Sequence, residues 1–296
     1  MTYILKTLNN LENITIKETN NKAKKIFPQT LEIEKLPKLR TITTSYKLIK
    51  KFKFKEIQDI LKELPKIKDF NIICKIKDNK LKSQELRNQI IAFICKKYKT
   101  KPNYKKPEQI LYLDIIKHNC LLGINPKIEL CKRNYKIRTS NNSLNACLAS
   151  SLLILAKYNP KNSLLDPFCS DGIIVIEAAL KKGKDIYATD PKSTNLFNAQ
   201  LNSEVAKVKI NFQLKQADQI ITQLPFVSKR SNPKIIEKQL KNFLELTKKA
   251  KKITVITQKT NLLEKLTQDY NLKINLKKEL LHGQTNYKII TFHKKS

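Results

Sequence analysis

The sequence predicts a C-terminal α/β half, a doubly wound parallel sheet closed by an antiparallel hairpin, preceded by an α+β half. Three observations predict this. From about Ser143 onward, apolar strand-like runs alternate with helical segments. Within that half, Asp166-Pro167-Phe168-Cys169-Ser170-Asp171-Gly172 lies between the apolar pair Leu164-Leu165 and the helical stretch Ile173 to Lys181. Strand, tight loop and helix in that order bring backbone N–H groups and a helix N-terminus to a nucleotide-like ligand. Finally, the β-rich runs Leu272–Leu281 and Tyr287–Phe292 flank the turn His282-Gly283-Gln284-Thr285-Asn286 and read as a hairpin.

In the first half, Tyr3 to Leu5 and Asn13 to Ile16 read as short strands among basic loops. A helix near Lys55–Leu64, a strand at Phe70–Ile76, a long helix at Gln84–Lys97 and strands at Ile110–Ile116 and Cys120–Ile124 make a small α+β unit. Lys99 to Lys106, with Pro102, reads as a loop, and the polar, basic stretch Lys132 to Asn142 as a linker. In the second half the expected order is helix Leu144–Tyr158, strand Ser163–Leu165, the motif loop and its helix, strand Asp185–Thr189 and helix Ser193–Ala206. Strand-like Val208–Phe212 and Gln219–Thr222 come next. A helix at Pro233–Ala250, a strand at Ile253–Thr257 and a helix at Leu262–Tyr270 lead into the hairpin.

Composition bounds the function. The chain has 296 residues and 41% hydrophobic content, enough for a sizeable core. It has no apolar run long enough for a transmembrane helix, and Met1-Thr2-Tyr3-Ile4-Leu5-Lys6 lacks the pattern of a signal peptide. Lys and Arg number 59 against 25 Asp and Glu, a formal net charge of +34, which favours polyanionic partners, nucleic acid first. An AT-rich coding bias toward Lys, Asn and Ile explains part of that excess, but the charge attracts phosphate whatever its origin. The six Cys (74, 95, 120, 131, 147, 169) are spread singly and His118, His282 and His293 are isolated, so no metal site is expected and a reducing, cytoplasmic setting fits.

Asp190 ends the second strand of this half, 24 residues after Asp166. A carboxylate there can accept both hydroxyl hydrogens of a ribose; the alternative is a turn residue before Pro191. The G-x-G-x-x-G fingerprint and Walker A are both absent, which disfavours hydride transfer and NTP hydrolysis. Gln223-Leu224-Pro225-Phe226 ends another strand with an amide, a Pro and an aromatic. These can hold an exocyclic amine and stack on a base, or they are a strand ending in a Pro turn with Phe226 in the core.

These residues carry a resemblance to a known family. Asp166 through Ile173 is similar to the pattern Asp-Pro-Phe-Cys-Gly-Ser-Gly-Thr, and Gln223-Leu224-Pro225-Phe226 to Asn-Leu/Pro-Pro-Phe/Tyr, of the THUMP-containing class I S-adenosylmethionine-dependent RNA methyltransferases, the tRNA guanine-N2 group. Tyr135, Arg138 and Ser143-Leu144-Asn145 resemble the segment before the family's first helix. Lys106-Pro107-Glu108, Leu111–Asp114 and Cys120 to Ile124 resemble the end of a THUMP domain. The resemblance implies a ferredoxin-like piece at 1–55, THUMP at 56–131, a linker at 132–142 and a Rossmann-like methyltransferase domain at 143–296. It implies that Asp166, Cys169, Ser170, Gly172, Asp190 and Asp218 bind S-adenosylmethionine, and that Gln223, Pro225 and Phe226 hold the target guanine and its N2 amine. It implies that the THUMP half grips the acceptor end of a tRNA.

The sequence departs from the family pattern in three places. Ser170-Asp171 stands where Gly-Ser is expected, adding a Cβ and a negative charge. Gln223 stands where Asn is expected, and the extra methylene moves the amide by ~1 Å, a shift that can cost ~100-fold in rate. The third departure is a connection. Six residues separate Phe212 from Gln219, too few for a crossover of about a dozen residues over a gap of ~14 Å. Either Val208–Phe212 is not a regular edge strand or the chain returns fully extended. Asp218 is then the pre-strand acidic residue or an adenine contact. These departures motivate an alternative function: a tRNA-binding protein whose methyltransferase half is retained as a structural module.

Overall fold

The computed structural model describes residues 1–125, 130, 132–225, 233–258, 261–282 and 285–294. The chain divides into two compact units, Met1–Thr7 with Thr19–Leu130, and Leu8–Glu18 with Cys131–Ser296. The elements in the first stretch are β1 Tyr3–Thr7, α1 Glu12–Glu18, β2 Lys24–Phe27, β3 Thr30–Ile33, β4 Ile42–Lys53, α2 Ile57–Lys62, β5 Phe70–Lys77, α3 Ser83–Tyr98, β6 Gln109–Ile116 and β7 Asn119–Asn125.

In the first unit, seven strands form one sheet in the order β2-β3-β1-β4-β7-β6-β5. The stretch 1–55 thus contributes four strands to the same sheet as the stretch beyond it. The twelve-residue β4 makes this continuous: Ile42–Lys47 pairs with β1, and Lys47–Lys53 pairs with β7 past an irregularity between Leu48 and Lys50. Among the named strands of this sheet the parallel pair is β5 with β6, joined by the crossover helix α3. Leu86, Ile90 and Ile94, four residues apart on α3, bury one helical face with Phe70, Leu111 and Leu113. Gly123 of β7 has no room for a side chain, because a Cβ there would lie 2.2 Å from Tyr46 Cδ2.

The expected strand at Asn13–Ile16 is instead helix α1, a member of the second unit. The alternation of Ile14 and Ile16 suggests period two. Burial of Leu8, Leu11 and Ile14 follows period three instead, because these side chains pack into the core that includes α4.

The second unit continues with α4 Ala146–Leu155, β8 Leu164–Asp166, α5 Ile173–Leu180, β9 Ile186–Ala188, α6 Ser193–Val205, β10 Gln219–Gln223, α7 Pro233–Leu246, β11 Lys252–Thr257, α8 Asn261–Asp269, β12 Leu272–His282 and β13 Thr285–Lys294. Its sheet runs β12-β13-β11-β10-β8-β9. Strands β9, β8, β10 and β11 are parallel, and β13 is antiparallel to both β11 and β12. Neighbouring residues face opposite layers. Leu164, Ile221, Ile256 and Ile289 join the core of α4 and α5, while Leu165, Ile220, Val255 and Ile290 join that of α7 and α8. Both faces of the sheet are therefore covered, as a parallel sheet requires. Asn145 caps α4, its Oδ1 accepting from Cys147 N at 2.9 Å and Leu148 N at 3.2 Å.

The third departure resolves structurally. Val208–Phe212 is no regular strand; it makes one parallel bridge, Asn211 to Tyr187 at the β9 edge. The chain then reaches β10 without a helix. Lys215 spans this return, its Nζ 2.6 Å from Tyr187 Oη and 4.7 Å from that ring's centre.

Candidate functional site

Chain order puts the switch point of the second sheet at β8, since β9 lies on one side of it and β10 on the other. Ligands of open α/β sheets occupy the crevice outside the carboxyl ends at such a point. Asp166 ends β8 there and is 1% exposed. Its Oδ1 accepts from Thr222 Oγ1 at 2.6 Å, on β10, and from Phe168 N at 3.2 Å. Its Oδ2 is buried with no hydrogen-bond partner among the described residues. Burial pushes the Asp166 carboxyl up to about 7 against the two hydrogen bonds that oppose it.

The loop after Asp166 is built from its own backbone and from β9. Cys169 N donates to Thr189 O at 3.0 Å, Thr189 N to Asp166 O at 3.0 Å, and Gly172 N to Cys169 O at 2.8 Å. Cys169 is buried, and that burial pushes its thiol far up, so it is no nucleophile. Ser170 and Gly172 take left-handed backbone conformations, φ 54° and 82°. At Gly172 a Cβ would also sit 3.0 Å from Ala199 Cβ on α6. The glycine therefore answers a backbone conformation and a close helix packing.

Asp190 follows β9 and faces this loop. Its Oδ2 accepts from Ser170 N at 2.9 Å, while Oδ1 accepts from Lys192 N and Asn195 Nδ2, each at 2.9 Å. One oxygen thus serves the turn into α6 and the other the loop. Asp171 is 1% exposed, and burial raises its carboxyl from the usual range against Ser143 and the nearby Lys136; Ser143 Oγ donates to Oδ2, and Oδ1 has no hydrogen-bond partner among the described residues. Asp166, Asp171 and Asp190 ring one loop, so a chain of net charge +34 carries a locally acidic site. Among the described residues no cluster of His, Cys, Asp or Glu is placed to hold a metal ion.

The structure brings Asp166, Cys169, Ser170, Gly172 and Asp190 together. Gln223 is half-buried at the carboxyl end of β10, one residue past the Thr222 that touches Asp166, and Pro225 follows. Phe226 lies outside the described residues. Asp218, expected among the cofactor-binding residues, is placed elsewhere. Register aligns Ile220 with Leu165, so Asp218 falls three strand positions, about 10 Å, before the level of Asp166. It sits at the amino edge, where Oδ2 accepts from Ser163 Oγ at 2.8 Å and Oδ1 pairs with Lys251 at 2.9 Å. Lys251, then Ser163, hold it down at about 2. Of the two roles open to it, its place is that of the pre-strand acidic residue.

Two features were missed in the sequence. The stretch Lys132 to Asn142 reads as a linker, yet residues 133–145 are pinned to the site: Arg133 Nε and Tyr135 Oη donate to the fully buried Glu177 Oε1 at 3.0 and 2.7 Å. Asn202, fully buried on α6, was not singled out at all. Its signal was present as Ala199, Asn202, Ser203 and Ala206, small residues at helical spacing on a face packed closely.

A family described as the RMKL-like methyltransferase domain matches residues 133–190, from the pinned segment to Asp190. A tRNA (guanine(6)-N2)-methyltransferase of Methanocaldococcus jannaschii is 37% identical over 89 residues, 29% of this chain and 23% of that relative. The corresponding protein of Archaeoglobus fulgidus is 30% identical over 82 residues, 27% of this chain and 21% of the relative. The similarity thus spans less than a quarter of these relatives' length. Among solved structures, TrmN from Thermus thermophilus superposes over 100% of both chains with a TM-score of 0.82 at 16% identity. SMU.472, solved in complex with SAH, superposes over 100% of this chain and 98% of its own with a TM-score of 0.77 at 14% identity. The chain shares the fold of these solved proteins, with the Rossmann-like sheet in the second unit.

Proposed function

We propose that the chain is an S-adenosylmethionine-dependent RNA methyltransferase that transfers a methyl group to the N2 amine of a guanosine in tRNA. The observation that carries this reading is the buried, unpartnered Asp166 Oδ2 at the switch point of the sheet. An orphaned carboxylate oxygen inside an acidic loop suits a ligand bearing ammonium and sulfonium groups. The relatives' names agree with the substrate.

When bound, S-adenosylmethionine supplies an activated methyl on a cationic leaving group. The protein's part is to hold and align. Asp166 and the loop Cys169–Gly172 border the cofactor's cationic end, and the Asp190 carboxylate receives its ribose. Gln223 and Pro225 orient the guanine amine, and alignment supplies most of the rate. The extra methylene of Gln223 sets its amide further from β10 than the family's Asn does, so Gln223→Asn tests its reach. The first unit, which holds most of the ferredoxin-like stretch 1–55 and of the THUMP stretch 56–131, grips tRNA with its Lys-rich surface. Among the described residues no helix is long and apolar enough to cross a membrane, and a cytoplasmic setting accords with a tRNA substrate.

One observation favours the second reading, a tRNA-binding protein with a retired catalytic half. Asp190 already accepts three hydrogen bonds within the chain, leaving about one of a carboxylate's four acceptor positions. Calorimetry with S-adenosylmethionine and methyl incorporation into unmodified tRNA decide between them. Heat of binding, lost in Asp190→Ala, together with incorporation at guanine N2 supports the enzyme. Salt-sensitive tRNA binding with neither heat nor incorporation supports the scaffold.

A further inference from the structure

We propose that Asn202 is a positioning residue that locks the segment 133–145 to the loop Asp166–Gly172, so that order in one sets order in the other. The reading above enters only in naming the ligand. Asn202 makes four hydrogen bonds from one fully buried amide. Its Oδ1 accepts from Ile137 N at 3.1 Å and Arg138 N at 3.0 Å. Its Nδ2 donates to Arg138 O and to Asp171 O, both at 2.9 Å. One side chain thus holds the backbone of the segment with its oxygen and one N–H and the backbone of the loop with its other N–H, and no capacity of the amide is left unused.

Further contacts tie the same two pieces. The Ser140 and Ser170 hydroxyls hydrogen-bond, and Ser143 Oγ donates to Asp171. Ser170 and Asp171 are the two loop residues that depart from the family pattern, and each meets a serine of the segment. Lys136 Nζ donates to Leu144 O at 3.1 Å and closes the segment on itself. The departures in the loop are therefore matched by hydroxyls opposite them. The loop and the segment form one latched unit with Asn202 at its buried centre.

Hydrogen exchange of single amides tests this in the ligand-free protein. Asn202→Asp keeps an acceptor for Ile137 N and Arg138 N but has no N–H for Arg138 O or Asp171 O. It is expected to speed exchange at Ser170 and Gly172 roughly tenfold and at Ile137 and Arg138, whose own N–H groups keep their acceptor, by less. Asn202→Ala is expected to speed both sets. In the wild type, S-adenosylmethionine should slow exchange at Ile137 and Arg138 as well as in the loop; in Asn202→Ala it should slow the loop alone. Faster exchange confined to 137–138 in Asn202→Ala, or an unchanged loop in Asn202→Asp, overturns the proposal. Should Asn202→Ala not fold, the Asp variant alone decides. If wild-type protein takes up no S-adenosylmethionine while the ligand-free pattern holds, the cofactor reading falls and the latch stands.

Discussion

Asp114 in the first unit and the loop carboxylates Asp166 and Asp171 in the second are buried under opposite terms. In the first, Asp114 is 3% exposed and accepts from Tyr46 Oη at 2.6 Å and Lys6 Nζ at 2.9 Å, while Lys6 also donates to Thr30 Oγ1 at 2.8 Å. Tyr46 stacks on Tyr112, and burial, then Asp114, pushes its phenol far up, so it stays a neutral donor. In the second unit, Asp166 and Asp171 each keep an unpartnered oxygen inside the fold. A buried charge met by a cation and a hydroxyl holds strands together. A buried carboxylate left incomplete weakens the fold.

The sharpest way to break this contrast is Asp114→Ala. Stranding Lys6 in the interior should cost about 3–5 kcal/mol of unfolding free energy in denaturant titrations. Asp166→Asn should cost far less and should change the pH profile instead. The Asp166 carboxyl stands at about 7 in the fold against 3.8 ordinarily. The folded chain therefore binds that proton more tightly, and the contribution is full below pH 3.8 and lost as pH rises through about 7. The substitution should flatten this fall by on the order of a few kcal/mol. Asp171, raised for the same reason, keeps part of the slope. Equal losses in the two variants at every pH would erase the distinction. The smallest effect is expected from Thr222→Val, which removes the 2.6 Å hydrogen bond to Asp166. It should raise the Asp166 midpoint in a carboxyl NMR titration and cost about 1 kcal/mol.

The same contrast explains what was readable in advance. Helix and strand order followed from periodicity and turn residues, since each element buries one face that its own residues declare. Asn13–Ile16 failed because four residues with two Ile fit either period, and only packing with α4 chose the helix. The loop and Asp190 were legible because their chemistry is local. Asn202 was not, and in the segment 133–145 only the resemblance at Tyr135, Arg138 and Ser143-Leu144-Asn145 was, because an Asn on a helix or a basic loop looks solvated until the fold supplies carbonyls and amides from residues far away in sequence. Asp218 was misplaced because strand register, which sets its level along the sheet, lies in neighbouring strands.

Strand β12 touches the rest of its sheet only through β13, although β13 is made later. Until β13 is made, the backbone N–H and C=O groups of β12 have no strand to pair with, and the flank of β11 that β13 covers stays open. A chain lacking β13 leaves both edges of β12 and one edge of β11 unpaired, a surface prone to self-association. The outer edge of this sheet is therefore a late-closing seam, and slowed elongation across it should favour aggregates over folded protein.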